Sequence, residues 1–171
     1  MIDDNGVSSL FSIRDKIALV TGGSRGIGLM IARGYVEAGA TVYITSRTVE
    51  VCDVVAEELS AVGRCISLPT DLSTMAGVQS LCRQLAEREE KLHILVNNAG
   101  AAWGEPIETF PEEGFDKITD LNLKSLFFLT RDLLPMLEKA ATPEDPARVI
   151  NIGPIAFTSM VFCIRASSCS A

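Results

Sequence analysis

Between Lys16 and Ile152 five short apolar, β-branched runs alternate with longer stretches in which apolar residues recur every third or fourth position. The runs are Lys16–Val20, Thr41–Thr45, Cys65–Leu68, Leu92–Val96 and Arg148–Ile152. Strand followed by helix, repeated without a break, means parallel strands, because two parallel neighbours need a crossover long enough to hold a helix. The pattern predicts an α/β fold: a Rossmann-like, doubly wound parallel sheet of about five strands in a three-layer α/β/α sandwich.

The helical stretches carry their own punctuation. Leu29, Ile31, Ala32 and Val36 form one apolar stripe, stopped at Gly39. A second helix over 49–62 ends at Gly63, and a third over 73–90 starts with Ser73 as N-cap. Glycine suits a helix C-terminus because it accepts the left-handed conformation, and serine suits the start because its hydroxyl satisfies a free N–H. A fourth pattern covers 112–140 with Phe115, Ile118, Leu121, Phe128 and Leu129 on its apolar face, and Pro135 is expected to kink it. Residues 1–153 therefore read as one domain. The tail, 154–171, lacks a cap or turn signal and gains no predicted role.

A chain of 171 residues, 47% hydrophobic and 22% charged, is long enough for one packed core. Its net charge of −7 repels phosphate backbones and anionic headgroups, which argues against nucleic acid and membrane surfaces as partners. Five cysteines (Cys52, Cys65, Cys82, Cys163, Cys169) are odd in number and form no Cys-x-x-Cys pair, so they read as structural thiols of a reducing compartment. No metal-ligand spacing is present. The N-terminus, Met-Ile-Asp-Asp-Asn, has no basic stretch leading into an apolar one, and the protein is expected to be cytoplasmic.

The first strand runs into Thr21-Gly22-Gly23-Ser24-Arg25-Gly26-Ile27-Gly28 and straight on into a helix. Strand, glycine spacing and helix together make a phosphate-binding turn, where a loop merely rich in glycine would lack that setting. Gly22 permits the tight turn, Gly26 lets the backbone approach a pyrophosphate, and Gly28 lets the helix pack on the strand. Free N–H groups at the helix start favour negative charge, so Ser24, Arg25 and Ile27 count as binding residues too. At the end of the second strand stand Ser46 and Arg47, with no carboxylate to hold a ribose 2′-hydroxyl. Arg25 and Arg47 are placed to clamp a 2′-phosphate, which favours NADP(H); the alternative is that Arg47 is an ordinary solvated residue at a helix start.

These residues resemble the short-chain dehydrogenase/reductase family. Its pattern TGxxxGxG is matched by Thr21 to Gly28, and its NNAG signature by Asn97-Asn98-Ala99-Gly100. Asp71 and Leu72 match the pair that in the family lies against the adenine, and Asn122 matches the asparagine of the proton relay. The likeness is closest to NADPH-dependent 3-oxoacyl-carrier-protein reductases of the rhamnolipid-biosynthesis type and covers about residues 10–153. It implies strand order 3-2-1-4-5, NADP(H) as cofactor, a small carbonyl or acyl-thioester substrate, and a homo-oligomer. Asn98, Ala99 and Gly100 would then join the cofactor site, and Asn122 would be the catalytic residue, or else a brace for the helix it sits in.

The likeness also implies what is missing. The family uses a Ser after the fifth strand to polarise the carbonyl, a Tyr as proton donor and a Lys four residues on to lower its pKa. Here Pro154 stands at the Ser position, Ser167 and Ala171 at the Tyr and Lys positions, and the only tyrosines are Tyr35 and Tyr43. The chain as written is expected to be inactive, as a silent NADP(H)-binding module or a non-functional truncation product, its further strands missing and the fifth left as an exposed edge. His93, where the family often has Asp, reads as a structural histidine. Trp103 is open between a contact with the nicotinamide or substrate and an anchor for its loop.

Overall fold

The computed structural model describes residues 11–153 and the backbone of residues 161–164. Six strands form one sheet: β1 (Ile17–Thr21), β2 (Thr41–Thr45), β3 (Arg64–Ser67), β4 (Ile94–Asn97), β5 (Ala147–Asn151) and β6 (Val161–Ile164). Their order is β3-β2-β1-β4-β5-β6. The first five run parallel in the expected order, while β6 lies antiparallel on β5. Helices α1 (Gly26–Glu37), α2 (Val49–Ser60), α3 (Met75–Ala86), α4 (Glu112–Thr119) and α5 (Ser125–Ala140) make the connections.

Alternation along the strands divides the core into two layers. Ala18, Val20, Val42, Ile44, Ile94 and Val96 face α1 and α2, where they meet Ala32, Val36, Cys52 and Leu59. Leu19, Tyr43, Leu95 and Val149 face the other way, toward Leu81 and Leu85 of α3 and Leu129, Leu133 and Leu137 of α5. Both faces of the parallel strands are thus covered. Leu133, 1% exposed, belongs to the second layer; truncating such a leucine to alanine costs about 2–5 kcal/mol.

Several boundaries differ from the sequence expectation. Helix α3 begins later than Ser73: Thr74 is its N-cap, and the Thr74 hydroxyl accepts from the Gly77 N–H at 3.1 Å. Ser73 instead donates its backbone N–H to Asp71 Oδ1 at 3.0 Å. The aspartate two residues earlier captures the serine's amide, which turns the chain before the helix can start. The long pattern over 112–140 is interrupted by a five-residue π turn, Asp120–Lys124, between α4 and α5. Helix α5 runs on through Pro135, whose ring and the Arg131 position it frees both lie on the exposed side. Solvent can satisfy the carbonyl that loses its donor there.

The expected open edge of β5 is also corrected, because β6 pairs with it along Ala147–Ile150. The tail that showed no local signal contributes a strand, since edge pairing is set by a distant partner and not by local punctuation. Pro154, Ser167 and Ala171 lie outside the described residues, as does the Met1–Asn5 segment. His93 is a structural residue: its Nδ1 accepts from the Ile17 N–H at 3.0 Å, and its backbone exchanges bonds with Ile17 and Arg148 at 2.9 Å.

Candidate functional site

In a doubly wound sheet a crevice opens where successive crossovers leave a strand in opposite directions, beyond the strand C-termini. Here β1 lies between β2 and β4, so the crevice falls at the ends of those strands. A cleft of about 490 Å³ occupies this place. It is lined by Gly22, Ser24, Arg25, Gly26 and Ile27 and, next to Gly22, by Asn98, Ala99 and Gly100. Ser46 and Arg47 after β2, and Asp71 and Leu72 after β3, close its far end.

The glycine turn has the backbone that its glycines permit. Gly22 and Gly26 have φ of +65° and +55°, a region costly for any side chain. Beside Gly26 no atom lies within 4 Å of a would-be Cβ, so the turn is open to the cleft at that point. Gly28 does not line the cleft: a Cβ there would lie 2.2 Å from the Gly22 carbonyl oxygen, and its role is close packing of α1 under the turn. Gly23, which the motif left unassigned, has a comparable constraint, with Ile44 Cγ2 2.6 Å from a would-be Cβ.

Helix α1 starts with Arg25 in an extended conformation and has no side-chain cap and no acidic residue in its first turn. Its first N–H groups therefore face the cleft without a protein carboxylate, an arrangement suited to a phosphate. Arg25 and Arg47 are exposed at the rim and make no ion pair among the described residues. Two uncompensated guanidiniums thus flank one cleft of an acidic protein.

Thr21 joins the two signature segments. Its Oγ1 accepts from the backbone N–H of both Asn98 and Ala99 at 2.9 Å, while Asn98 Nδ2 donates to the carbonyl oxygens of Thr21 at 2.9 Å and Gly22 at 3.3 Å. Asn98 thus holds the glycine turn and the loop after β4 in one rigid unit. The preceding Asn97 reaches sideways, donating to Thr130 Oγ1 at 3.1 Å and Asn151 Oδ1 at 2.9 Å, which ties β4 to α5 and β5.

Asn122 sits in the π turn with both ends of its amide engaged by one residue. Its Oδ1 accepts from the Ala101 N–H and its Nδ2 donates to the Ala101 carbonyl oxygen, each at 2.8 Å. The side chain braces the loop that follows β4. Leu121 beside it lines the cleft. Trp103 turns away from the cleft: a Cβ on Gly114 would lie 2.9 Å from its ring, and Lys117 Nζ sits 4.9 Å from the ring centroid. This packing fits the reading of Trp103 as a loop anchor.

Neither tyrosine lines the cleft. Burial and the hydrogen bond to Glu89 push the Tyr43 phenol up to about 12, and burial raises Tyr35 as well. Cys65 and Cys82 are pushed up to about 12 by burial, which keeps them as inert thiols. Among the described residues no group of three or more His, Cys, Asp or Glu is placed to hold a metal ion, and no helix is long and apolar enough to cross a membrane.

Sequence reasoning missed Thr45, Thr48, Val51 and Thr70 as lining residues. The signal for them was their position at the ends of β2 and β3 and in the first turn of α2. Thr45 Oγ1 is buried without a hydrogen-bond partner, which marks the cleft wall as not fully satisfied by the protein itself.

Comparison with known proteins places this architecture in a family. The short chain dehydrogenase family matches residues 16–170. A rhamnolipids biosynthesis 3-oxoacyl-[acyl-carrier-protein] reductase of Pseudomonas aeruginosa is 51% identical over 146 residues, covering 85% of this chain and 57% of that protein. Among solved structures, the Pseudomonas aeruginosa RhlG/NADP active-site complex superposes with a TM-score of 0.83 at 49% identity, covering 92% of this chain and 62% of that one. A metagenomic short-chain oxidoreductase in complex with NADP gives 0.75 at 33% identity, covering 84% and 64%. The chain thus spans about three fifths of the length of these proteins. It belongs to the short chain dehydrogenase family.

Proposed function

We propose that the cleft binds NADP(H), with the pyrophosphate on the start of α1 and the 2′-phosphate between Arg25 and Arg47. The observation that carries this reading is the placement of both arginines on the rim of the cleft that the glycine turn opens into, with no carboxylate at the end of β2. Gly22, Ser24, Gly26 and Ile27 would hold the phosphates, Asp71 and Leu72 the adenine end, and Asn98, Ala99 and Gly100 the nicotinamide end. The NADP complexes of two similar proteins support the same choice. Calorimetric titration with NADPH and NADH tests it: saturable binding that favours NADPH is expected, and equal affinities or no binding would sink it. Arg47→Asp should lower NADPH affinity about 10–100-fold, the worth of one charge-assisted bond, while sparing NADH.

The reaction class we assign to this fold is reduction of a carbonyl of the 3-oxoacyl type, supported by the name of the 51% identical reductase. A bound nicotinamide cofactor supplies the hydride. This chain's residues supply binding and orientation, but not the carbonyl-polarising hydroxyl, because Pro154 stands at that position, and not the acid, because the sequence contains no Tyr-x-x-x-Lys. We therefore assign the 171-residue chain a silent, cofactor-binding role. Turnover of an oxoacyl thioester by this chain would overturn that assignment. Pro154→Ser joined to the C-terminal segment of the similar reductase should restore turnover.

Association is supported separately by an exposed apolar stripe on the α4–α5 side, where Phe115, Leu123 and Phe127 are 60%, 66% and 61% exposed. Light scattering should show a dimer or larger species that Phe127→Glu dissociates.

A further inference from the structure

Helices α1 and α2 turn apolar side chains outward as well as inward. Ile27 and Met30 on α1 are 60% and 72% exposed, and Val51 and Val54 on α2 are 46% and 54% exposed. None of the four serves the core, which takes Ala32 and Val36 from α1 and Cys52 and Leu59 from α2. The helices are neighbours along their length. At one end Ile27 and Val51 both border the cleft, and at the other Arg33, Val36 and Glu37 share a cavity of about 110 Å³ with Glu58 and Leu59. Apolar surface rimmed by charge in this way is the mark of a contact surface.

The charge on this face is divided between the two helices. Helix α1 exposes Arg33 and, in its last turn, Glu37, while α2 exposes Glu50, Asp53, Glu57 and Glu58 and contains no Lys or Arg. Among the described residues Arg33, Glu50, Glu57 and Glu58 make no ion pair. A partner of a single charge sign would oppose one of the helices. A second copy of this chain supplies both signs.

The spacing is self-complementary too. Ile27, Met30 and Arg33 follow at three-residue steps along α1, as Val51, Val54 and Glu57 do along α2. Residues three apart are neighbours on a helix surface. Both helices have 12 residues and follow parallel strands whose last residues, Thr21 and Thr45, are paired, so they start level and run the same way. A two-fold axis parallel to them sets α1 of one copy on α2 of the other. Ile27 is then level with the partner's Val51, Met30 with the partner's Val54, and Arg33 with the partner's Glu57 and the partner's Glu58.

We propose that the α1–α2 face is a self-association surface occupied by a second copy of this chain, with Ile27, Met30, Val51 and Val54 at its centre and Arg33 against the acidic side of α2 in the other copy. It lies across the sheet from α5 and is separate from the Phe127 stripe, and it does not depend on what the cleft binds. Helices about 18 Å long make a small interface, so the association is reversible.

Sedimentation over a concentration series tests this in the chain carrying Phe127→Glu, where the other apolar stripe is interrupted. A reversible monomer–dimer equilibrium is expected. Arg33→Glu, and separately Glu57→Arg with Glu58→Arg, should each weaken it at least about tenfold by bringing like charges together. An equimolar mixture of those two chains should recover the parent association, because every contact then joins opposite charges. That recovery also rules out misfolding as the cause of either loss. A dimer that none of these substitutions weakens overturns the proposal, as does a loss that the mixture fails to repair. Monomer at every concentration overturns it as well, and if removal of residues 1–10 then released a dimer, the occupant of the face would be the start of the chain itself.

Discussion

The Thr21 hydroxyl receives the backbone N–H groups of Asn98 and Ala99 at one oxygen, each at 2.9 Å. One buried side chain at the end of β1 thereby sets where the loop after β4 stands relative to the glycine turn. Two segments seventy-seven residues apart in sequence become one wall of the cleft.

Removing that oxygen should loosen the wall. Thr21 is 2% exposed, so Thr21→Val keeps the shape and leaves two part-buried donors unpaired. Unpaired buried groups cost about 1–3 kcal/mol each. For the two donors together urea unfolding should show a loss of about 2–6 kcal/mol, and NADPH titration a weaker affinity, while Thr21→Ser retains most of both.

Two glycines of α1 should respond in opposite ways to the same substitution. At Gly28 a methyl would meet the Gly22 carbonyl oxygen at 2.2 Å, and backbone must move to admit it. At Gly34 nothing lies within 4 Å. Gly28→Ala is expected to abolish nucleotide binding and destabilise by several kcal/mol, comparable to about 1–3 kcal/mol for overpacking plus the lost turn geometry. Gly34→Ala should raise stability by about 0.5–1 kcal/mol through helix propensity. Thermal melts of both variants decide this.

Asn122 answers to a different readout. Asn122→Ala strips the Ala101 N–H and carbonyl of their partners, both at 2.8 Å in the native arrangement. A loss of about 1–2 kcal/mol is expected, with faster amide exchange at Ala101 and unchanged exchange in β1. Asn122→Asp keeps the acceptor for the Ala101 N–H but not the donor, and should fall between the two.

The pH dependence of stability should carry the signature of His93. Its pKa is held below the ordinary 6.5, first by burial and then by the Lys16 charge, and its neutral Nδ1 accepts the Ile17 N–H. Because the folded value lies below the unfolded one, the unfolded chain binds the proton more readily in this range. The contribution is complete above about 6.5 and is lost as pH falls through the folded value. Unfolding free energy measured from pH 8 down to pH 5 should decline, and His93→Gln should flatten that slope. The Asp145 carboxyl, held below 3.8 by its bonds to Lys16 and Arg148, acts in a lower window and does not confuse the two.

Much of this architecture is legible in the chain because its determinants are local. The five strand-forming runs and their connecting helices sit within a few residues of their expected bounds, since apolar runs and glycine stops act on their own neighbours. The Gly22–Gly28 turn and the Asn98–Gly100 loop meet at one cleft, as the motifs imply. What escaped the sequence depends on competition between neighbouring caps or on distant partners. Thr74 displaced Ser73 as cap because Asp71 captured the Ser73 amide. The π turn at Asp120–Lys124 coincides with the bracing of Ala101 by Asn122, a contact across twenty-one residues. The β6 strand follows from an open edge on β5, a property of the assembled sheet and not of Val161–Ile164.

Among the described residues, those that line the cleft lie between Gly22 and Leu121, and none of them is on β5. Among these same residues, the lining of the cleft is supplied before the chain reaches Ala147. A substitution on β5 thus acts on the described cleft only through the sheet, as through the Asn97–Asn151 bond, and not by replacing one of its lining residues.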